Sequence, residues 1–132
     1  MAQPRSKTEK KIDKNVRQAL TKVCEQFLGE IEGFQWLTHQ ASYSDFPGSL
    51  LIICVFDTDA HQQRVLATDD ADKIAKIIQS ELLKIGVKLK LLKRQIIFDS
   101  EDKCHQQHEG NWVLRLSSLE KRSVTRKNPQ LH

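Results

Sequence analysis

The densest group of side chains that could bind a metal ion is Cys104, His105 and His108. Zinc in proteins is held by about four ligands drawn from cysteine, histidine and carboxylate groups. The other two cysteines, Cys24 and Cys54, are isolated from this group and from each other, so no second cysteine pair completes a site. We therefore interpret the group as part of a polar loop, and we expect neither a metal nor another cofactor.

A second arrangement resembles the acid-x-lysine pair of metal-dependent nucleases. Glu101 and Lys103 follow one apolar run, and Asp57 follows another. Carboxylates at two strand ends can hold Mg²⁺ while a lysine orients the attacking water. Charged residues are also common wherever a loop leaves a strand. A metal-dependent enzyme is therefore the weakest function that we consider, and we assign no catalytic residue.

The chain lacks the short motifs of common nucleotide-binding and catalytic sites. It has no GxxxxGK[ST], GxGxxG, GxSxG or HExxH motif, and its five glycines stand singly. A glycine-rich loop that cradles phosphate is therefore not expected. The predicted order of elements up to the third strand is similar to that of KH-like domains, but their GxxG loop is missing. No helix-turn-helix pattern is found either.

Clusters of basic residues give the strongest functional signal. The net charge is +4, but positive and negative charges are unevenly distributed along the chain. Basic clusters lie near the start of the chain, at 88–94 and near its end, and acidic stretches lie between them. Such a pattern suits attraction to a polyanion or complementarity between protein subunits. We predict a nucleic-acid-binding or ribonucleoprotein-binding module, and the alternative is a protein-interaction or homodimeric module. The residues assigned to the nucleic-acid surface are Lys10, Lys14, Arg17, Lys88, Lys90, Lys93 and Arg94.

The element that must organise these clusters is the apolar run Leu50–Phe56. It holds seven apolar residues, several of them β-branched, between a Pro-Gly turn and Asp57. This composition favours a strand over a helix of the same length. An unbroken run, rather than an alternating one, indicates that both faces of the strand are covered. We therefore predict the central strand of a sheet.

Two amphipathic helices flank this strand in the sequence. The first begins near Thr8, with Ser6 and Glu9 spaced as a capping box, and ends near Gly29 or Gly33. The second begins at one of the residues 68–70 and stops at Gly86. Both carry an apolar stripe with steps of three and four residues.

The other strands are shorter. Phe34–Gln40 is predicted to pair antiparallel with the central strand, and Ile96–Phe98 forms a third strand. Val87–Leu91 alternates and is predicted to be an exposed, lysine-protected edge. Trp112–Leu116 is predicted to be a last strand, with a short helix as the alternative. Residues 57–67 and 99–110 are predicted to be polar connections.

The resulting fold is an α+β two-layer sandwich with the order α-β-β-α-β(-β). Two helices cover one face of a small mixed or antiparallel sheet. The other face needs a cover, either a dimer partner or the Trp112 segment. Residues 8–116 form one domain, and residues 1–7 and 117–132 are predicted to be disordered basic tails.

The composition also bears on location. No stretch approaches the roughly 20 apolar residues of a membrane span, so no membrane partner is expected. The first residues lack the apolar core of a secretory signal. Three widely spaced cysteines do not form a disulfide framework, which favours the cytoplasm.

Three segments, Phe34–His39, Cys54–Thr58 and Ile85–Lys90, together resemble a small gammaproteobacterial family of unknown function. The resemblance covers residues from about 8 to 116. Members sometimes carry the label "Fis-family transcriptional regulator". Fis itself is an all-helical dimer with a helix-turn-helix, and this chain departs from it throughout its strand-rich middle. The resemblance therefore implies little about DNA binding, and it implies no catalytic residues.

Overall fold

The computed structural model describes the backbone of residues 6–127 and the side chains of residues 6–119. The fold is α+β, as the sequence predicts. In chain order its elements are α1 (Lys7–Glu30), β1 (Phe34–Gln40), a 3₁₀ turn (Tyr43–Asp45), β2 (Leu51–Phe56), α2 (Asp59–Ala67), α3 (Asp70–Leu83), α4 (Leu92–Gln95), β3 (Ile96–Ser100), α5 (Glu101–His108) and α6 (Trp112–Lys127).

The sheet is mixed and has the strand order β1-β2-β3. β1 pairs antiparallel with β2, and β2 pairs parallel with β3. Every residue of the apolar run Leu50–Phe56 is buried. The prediction of a central strand with both faces covered is therefore confirmed.

Alternate residues of β2 contribute to two separate cores. Ile52, Cys54 and Phe56 belong to the core that α1 and α3 cover. Ile53 and its neighbours on the opposite face pack against Leu119 of α6. The second face is thus covered by the segment that begins at Trp112, which is one of the two covers predicted. This segment, α6, forms a helical layer on the face of the sheet opposite α1 and α3.

The two long helices form for the predicted reasons. The hydroxyl of Ser6 accepts a hydrogen bond from the backbone N–H of Glu9 at 3.0 Å, which caps α1. The buried residues of α3 are Ile74, Ile78 and Leu82, at steps of four residues. Gly86 follows with φ +78°, a conformation that glycine adopts without strain.

Two predicted loops are helices instead. Residues 59–67 form α2, and Thr58 caps it by accepting from the N–H of His61. Residues 101–108 form α5, and Ser100 caps it by accepting from the N–H of Lys103. Both helices are polar and short, so neither has a long apolar stripe that would have revealed it in the sequence.

The predicted edge strand Val87–Leu91 is also wrong. Val87 and Leu89 are buried and Lys88 and Lys90 are exposed, so the alternation is real, but the segment pairs with no strand in the described part of the chain. The amide of Gln79 replaces a strand: its Nε2 donates to Val87 O at 3.1 Å, and its Oε1 accepts from Leu89 N at 2.8 Å.

The last predicted strand, Trp112–Leu116, is the start of α6, which is the alternative that the sequence left open. The helix continues to Lys127, so residues 117–127 are not the disordered tail that was predicted. At the other end, Ser6 caps α1 and Lys7 lies within it, although both were assigned to a disordered tail. The rest of the two predicted tails, 1–5 and 128–132, lies outside the described residues. None of the helices in residues 6–127 has the length and hydrophobicity needed to cross a membrane.

Candidate functional site

All seven residues assigned to the nucleic-acid surface are exposed in the structure. Three lie on α1, two in the extended segment between α3 and α4, and two on α4. Among residues 6–119, Arg17 is the one member of this set that takes part in an ion pair, with Asp13 Oδ2 at 2.8 Å from its Nε. The other six charges are available to a ligand.

The packing of α1 against α3 brings these clusters to one end of the molecule. Ile12 and Asn15 of α1 line a pocket together with Ile85, Gly86 and Val87, which follow α3. The start of α1 therefore lies beside the end of α3, and the two helices run antiparallel. As a result, the first half of α1, which carries Lys10 and Lys14, lies at the same end as the segment 88–94.

Glutamine side chains fix the backbone of the segment 88–94. Besides the contacts of Gln79, the buried Gln95 accepts from Leu91 N at 3.1 Å through its Oε1. Its Nε2 donates to Pro47 O at 2.9 Å and to Leu50 O at 3.0 Å. Buried amides that are fully bonded hold their neighbours rigidly. The lysines of this segment therefore project from a fixed backbone.

The structure adds two lysines that the sequence analysis missed. A groove of about 460 Å³ runs between α3 and α4, and its lining includes Lys76 and Leu83 of α3, Lys84 directly after α3, and Leu92 of α4. Lys84 pairs with Glu81 at 2.8 Å, and Lys76 has no ion pair among residues 6–119. The signal was present in the sequence, because Lys76, Ser80 and Lys84 repeat at four-residue steps away from the apolar stripe of α3.

We call this surface the basic end and define it by its residues. It comprises the predicted set and the two added lysines: Lys10, Lys14, Arg17, Lys76, Lys84, Lys88, Lys90, Lys93 and Arg94.

Acidic residues collect at the opposite end of the same helical layer. Glu25 and Glu30 lie in the second half of α1, and Asp70 and Asp72 lie in the first turn of α3. Because the helices run antiparallel, these two groups lie at the same end. The carboxylate of Glu32, just after α1, accepts from Arg64 at 2.9 Å. The helical layer is thus polarised from basic to acidic.

A three-way contact attaches the start of α1 to the sheet. Asp13 accepts hydrogen bonds from Tyr43 and Arg17, and His39 Nε2 lies 3.3 Å from its Oδ1. Burial raises the pKa of Asp13, but these contacts outweigh it and hold the pKa below its usual value. Burial and the same carboxylate raise the pKa of Tyr43, so Asp13 remains the charged partner. This contact orients the cationic face of α1.

The residues of the nuclease-like arrangement have other partners. Asp57 Oδ1 lies 2.6 Å from His61 Nδ1. Glu101 accepts from the indole N–H groups of Trp36 and Trp112, each at 2.9 Å. Lys103 lies 3.5 Å from Asp59 Oδ1 rather than beside Asp57. The structure thus gives the three predicted residues separate contacts.

Polar side chains at this edge of the sheet join the starts of α2 and α5. Asp59 N at the start of α2 donates to Asp102 Oδ2 of α5 at 3.0 Å. Ser100 Oγ, at the cap of α5, donates to Asp59 Oδ1 of α2 at 2.6 Å, which is the main reason that the pKa of Asp59 is lowered. Acidic groups at helix N-termini stabilise helices. These contacts hold the starts of the two helices together.

A buried ion pair joins β3 to α6. Arg115 Nε lies 2.6 Å from Asp99 Oδ2, and its Nη2 lies 2.7 Å from Asp99 Oδ1. Arg115 Nη1 also donates to Gln107 Oε1 at 2.8 Å. The hydrogen bonds that Arg115 donates to Asp99 are the main reason that the pKa of Arg115 is raised. This bidentate pair fixes α6 on the sheet.

The helix α5 points the side chains of Cys104 and His105 into different surroundings. Cys104 is fully buried, and burial raises the pKa of its thiol, whereas His105 on the next position of the helix is exposed. Among the described residues no group of three or more histidine, cysteine or acidic side chains is arranged to hold a metal ion. The side chain of Cys104 serves the core instead.

Comparisons with protein-family models, with curated proteins and with solved structures find no match for this chain.

Proposed function

We propose that this protein is a non-catalytic binding module that attaches to nucleic acid, free or in a ribonucleoprotein, through its basic end. The observation that carries the proposal is the convergence of cations from α1, α3 and the segment 88–94 on one end of the molecule. Such a surface attracts phosphates whatever the base sequence, and counterion release makes the attraction depend on salt. We therefore expect electrostatic and sequence-tolerant binding.

Two further observations support this proposal. The two acids of the nuclease-like arrangement have partners within the fold, since Asp57 contacts His61 and Glu101 accepts from two tryptophan N–H groups. The three cysteines are unpaired, in keeping with a place in the cytoplasm. The proposed membership of the gammaproteobacterial family adds no weight, because its regulator label refers to a helix-turn-helix protein.

The second candidate is a protein-interaction module. The groove between α3 and α4 is lined by Leu83 and Leu92 together with Lys76 and Lys84, and this lining would suit an acidic, amphipathic segment of a partner or of a second copy. This candidate predicts no affinity for nucleic acid at low salt. Instead, substitutions at the basic end would change self-association or a protein contact.

Titration of labelled duplex DNA and single-stranded RNA, at about 50 mM salt, tests the proposal. The variant combines Lys90→Gln, Lys93→Gln and Arg94→Gln. The control combines Arg64→Gln and Lys73→Gln, which removes exposed cations of α2 and α3 that lie outside the basic end. We expect the variant to bind much more weakly than the control. Wild-type protein that binds neither polymer would refute the proposal, and light scattering on the same samples reports self-association.

A further inference from the structure

The pocket between the start of α1 and the end of α3 has features of a binding site. Its volume is about 230 Å³, below the roughly 300 Å³ at which sites for drug-sized ligands begin. A space of this size suits a single ring system. Ile12 of α1 and Ile85 and Val87 beyond α3 give it apolar walls, and Phe46 and Pro47 close another side.

Asn15 is the side-chain amide that lines this pocket. It is half-buried and makes no hydrogen bond within residues 6–119. An amide offers one acceptor and two donors, which is the combination that pairs with the edge of a nucleobase. Its position leaves these groups available to a ligand.

The aromatic wall is held in place by its neighbours. Tyr43 stacks on Phe46, with ring centroids 5.4 Å apart and an angle of 28° between the planes. Tyr43 in turn donates its hydroxyl proton to Asp13. An aromatic side chain that is already ordered contacts a base at little entropic cost. The two tryptophans are less suited to stack on a base at this pocket, since Trp36 and Trp112 pack against each other on the opposite face of the sheet.

Cationic side chains flank the pocket on both sides. Lys11 precedes Asn15 by one helical turn and therefore projects from the same side of α1. Lys88 follows Val87 directly. Both are exposed, and neither forms an ion pair within residues 6–119. A base in the pocket would thus have lysines near the phosphates on either side of it.

We propose that this pocket binds one unpaired nucleobase of a single-stranded nucleic acid whose phosphates lie on the basic end. The inference rests on the proposed function and extends it, because the basic end alone does not distinguish single strands from duplexes. Recognition of unpaired strands combines stacking, base-edge hydrogen bonds and backbone electrostatics, and the pocket supplies all three.

The test compares a labelled single strand with an abasic strand of the same length and charge. Both strands are made as DNA, and the base-containing strand also as RNA, which shows which sugar is preferred. We expect wild-type protein to bind the base-containing strand about tenfold more tightly, the scale of one base–aromatic contact. Asn15→Ala should reduce this preference severalfold and leave the affinity for the abasic strand unchanged. This change also favours the helix, so loss of folding is not expected.

Phe46→Leu provides a second variant, and Gln26→Ala, near the other end of α1, is the control that should keep the full preference. Equal binding of abasic and base-containing strands by wild-type protein would refute base binding in the pocket without contradicting the proposed function. If both Asn15→Ala and Phe46→Leu keep the wild-type preference for the base-containing strand, the base does not bind in this pocket. Failure to bind any strand would refute the proposed function itself.

Discussion

Arg115 and Asp99 form the most consequential pair of individual residues in this fold. Their side chains are only 6% and 4% exposed, and two parallel hydrogen bonds join them. Removal of one partner leaves a buried charge without compensation, which is far more costly than loss of a surface pair.

We therefore predict that Arg115→Leu lowers the free energy of unfolding by about 3–5 kcal/mol. Arg64→Leu is the control, because Arg64 and Glu32 form an exposed pair and should contribute about 1 kcal/mol or less. Urea unfolding of both variants measures the difference. Equal, small losses would show that the buried pair does not stabilise the attachment of α6.

Two histidines should titrate on opposite sides of their ordinary pKa of 6.5. The hydrogen bond to Asp57 raises the pKa of His61, and burial lowers the pKa of His39 in spite of its contact with Asp13. His61 thus contributes stability that is present below pH 6.5 and lost as the pH rises through its higher folded pKa. His39 contributes stability that is present above pH 6.5 and lost as the pH falls through its lower folded pKa.

NMR titration of the imidazole signals checks this prediction. Asp57→Asn should lower the pKa of His61 and leave that of His39 unchanged. A His61 signal in wild-type protein that titrates below that of His39 would contradict the assignment of partners.

At the scale of elements, the sequence predicts those that carry their own pattern. The stripes of α1 and α3 and the continuous run of β2 were found because each lies within one segment. The helices α2 and α5 were missed because they are short and polar, and the contacts that join them run from Asp59 to Ser100 and Asp102. Contacts between residues some 40 positions apart leave no local signal in a single sequence.

The start of α6 shows how a short segment can fit both the two-residue period of a strand and the period of about 3.6 residues of a helix. Trp112, Leu114 and Leu116 alternate as in a strand, but Leu114 is 57% exposed. Trp112, Leu116 and Leu119 are the residues that face the sheet, at helical steps of four and three. Leu119, the residue that distinguishes a helix from a strand here, lies beyond the predicted segment Trp112–Leu116.

We predict that Leu119→Glu destabilises the protein by about 3 kcal/mol or more, because it replaces buried packing with an unpaired charge over β2. Val113→Glu, on the same helix but 77% exposed, is the control and should change stability by about 0.5 kcal/mol or less. Thermal and urea unfolding compare the two. Equal stability of both variants would mean that α6 does not cover the second face in solution.

At the scale of the whole molecule, the antiparallel packing of α1 and α3 turns scattered clusters into one polarised layer. The sequence shows the clusters, and it predicted seven residues of the basic end, but it cannot show that the first half of α1 and the segment 88–94 lie at the same end. That placement depends on Ile12 and Asn15 lying beside Ile85 and Val87. Lys76 and Lys84 join the surface through the groove between α3 and α4.

The salt dependence of binding tests the basic end most directly. For duplex DNA, the logarithm of the association constant should fall linearly with the logarithm of salt concentration, with a slope of about −0.9 per neutralised phosphate. We predict that the variant lacking the charges of Lys90, Lys93 and Arg94 has a slope shallower by about 2.7, since three contacts are lost. The variant lacking the charges of Arg64 and Lys73 should keep the wild-type slope. Identical slopes for all three proteins would contradict the account.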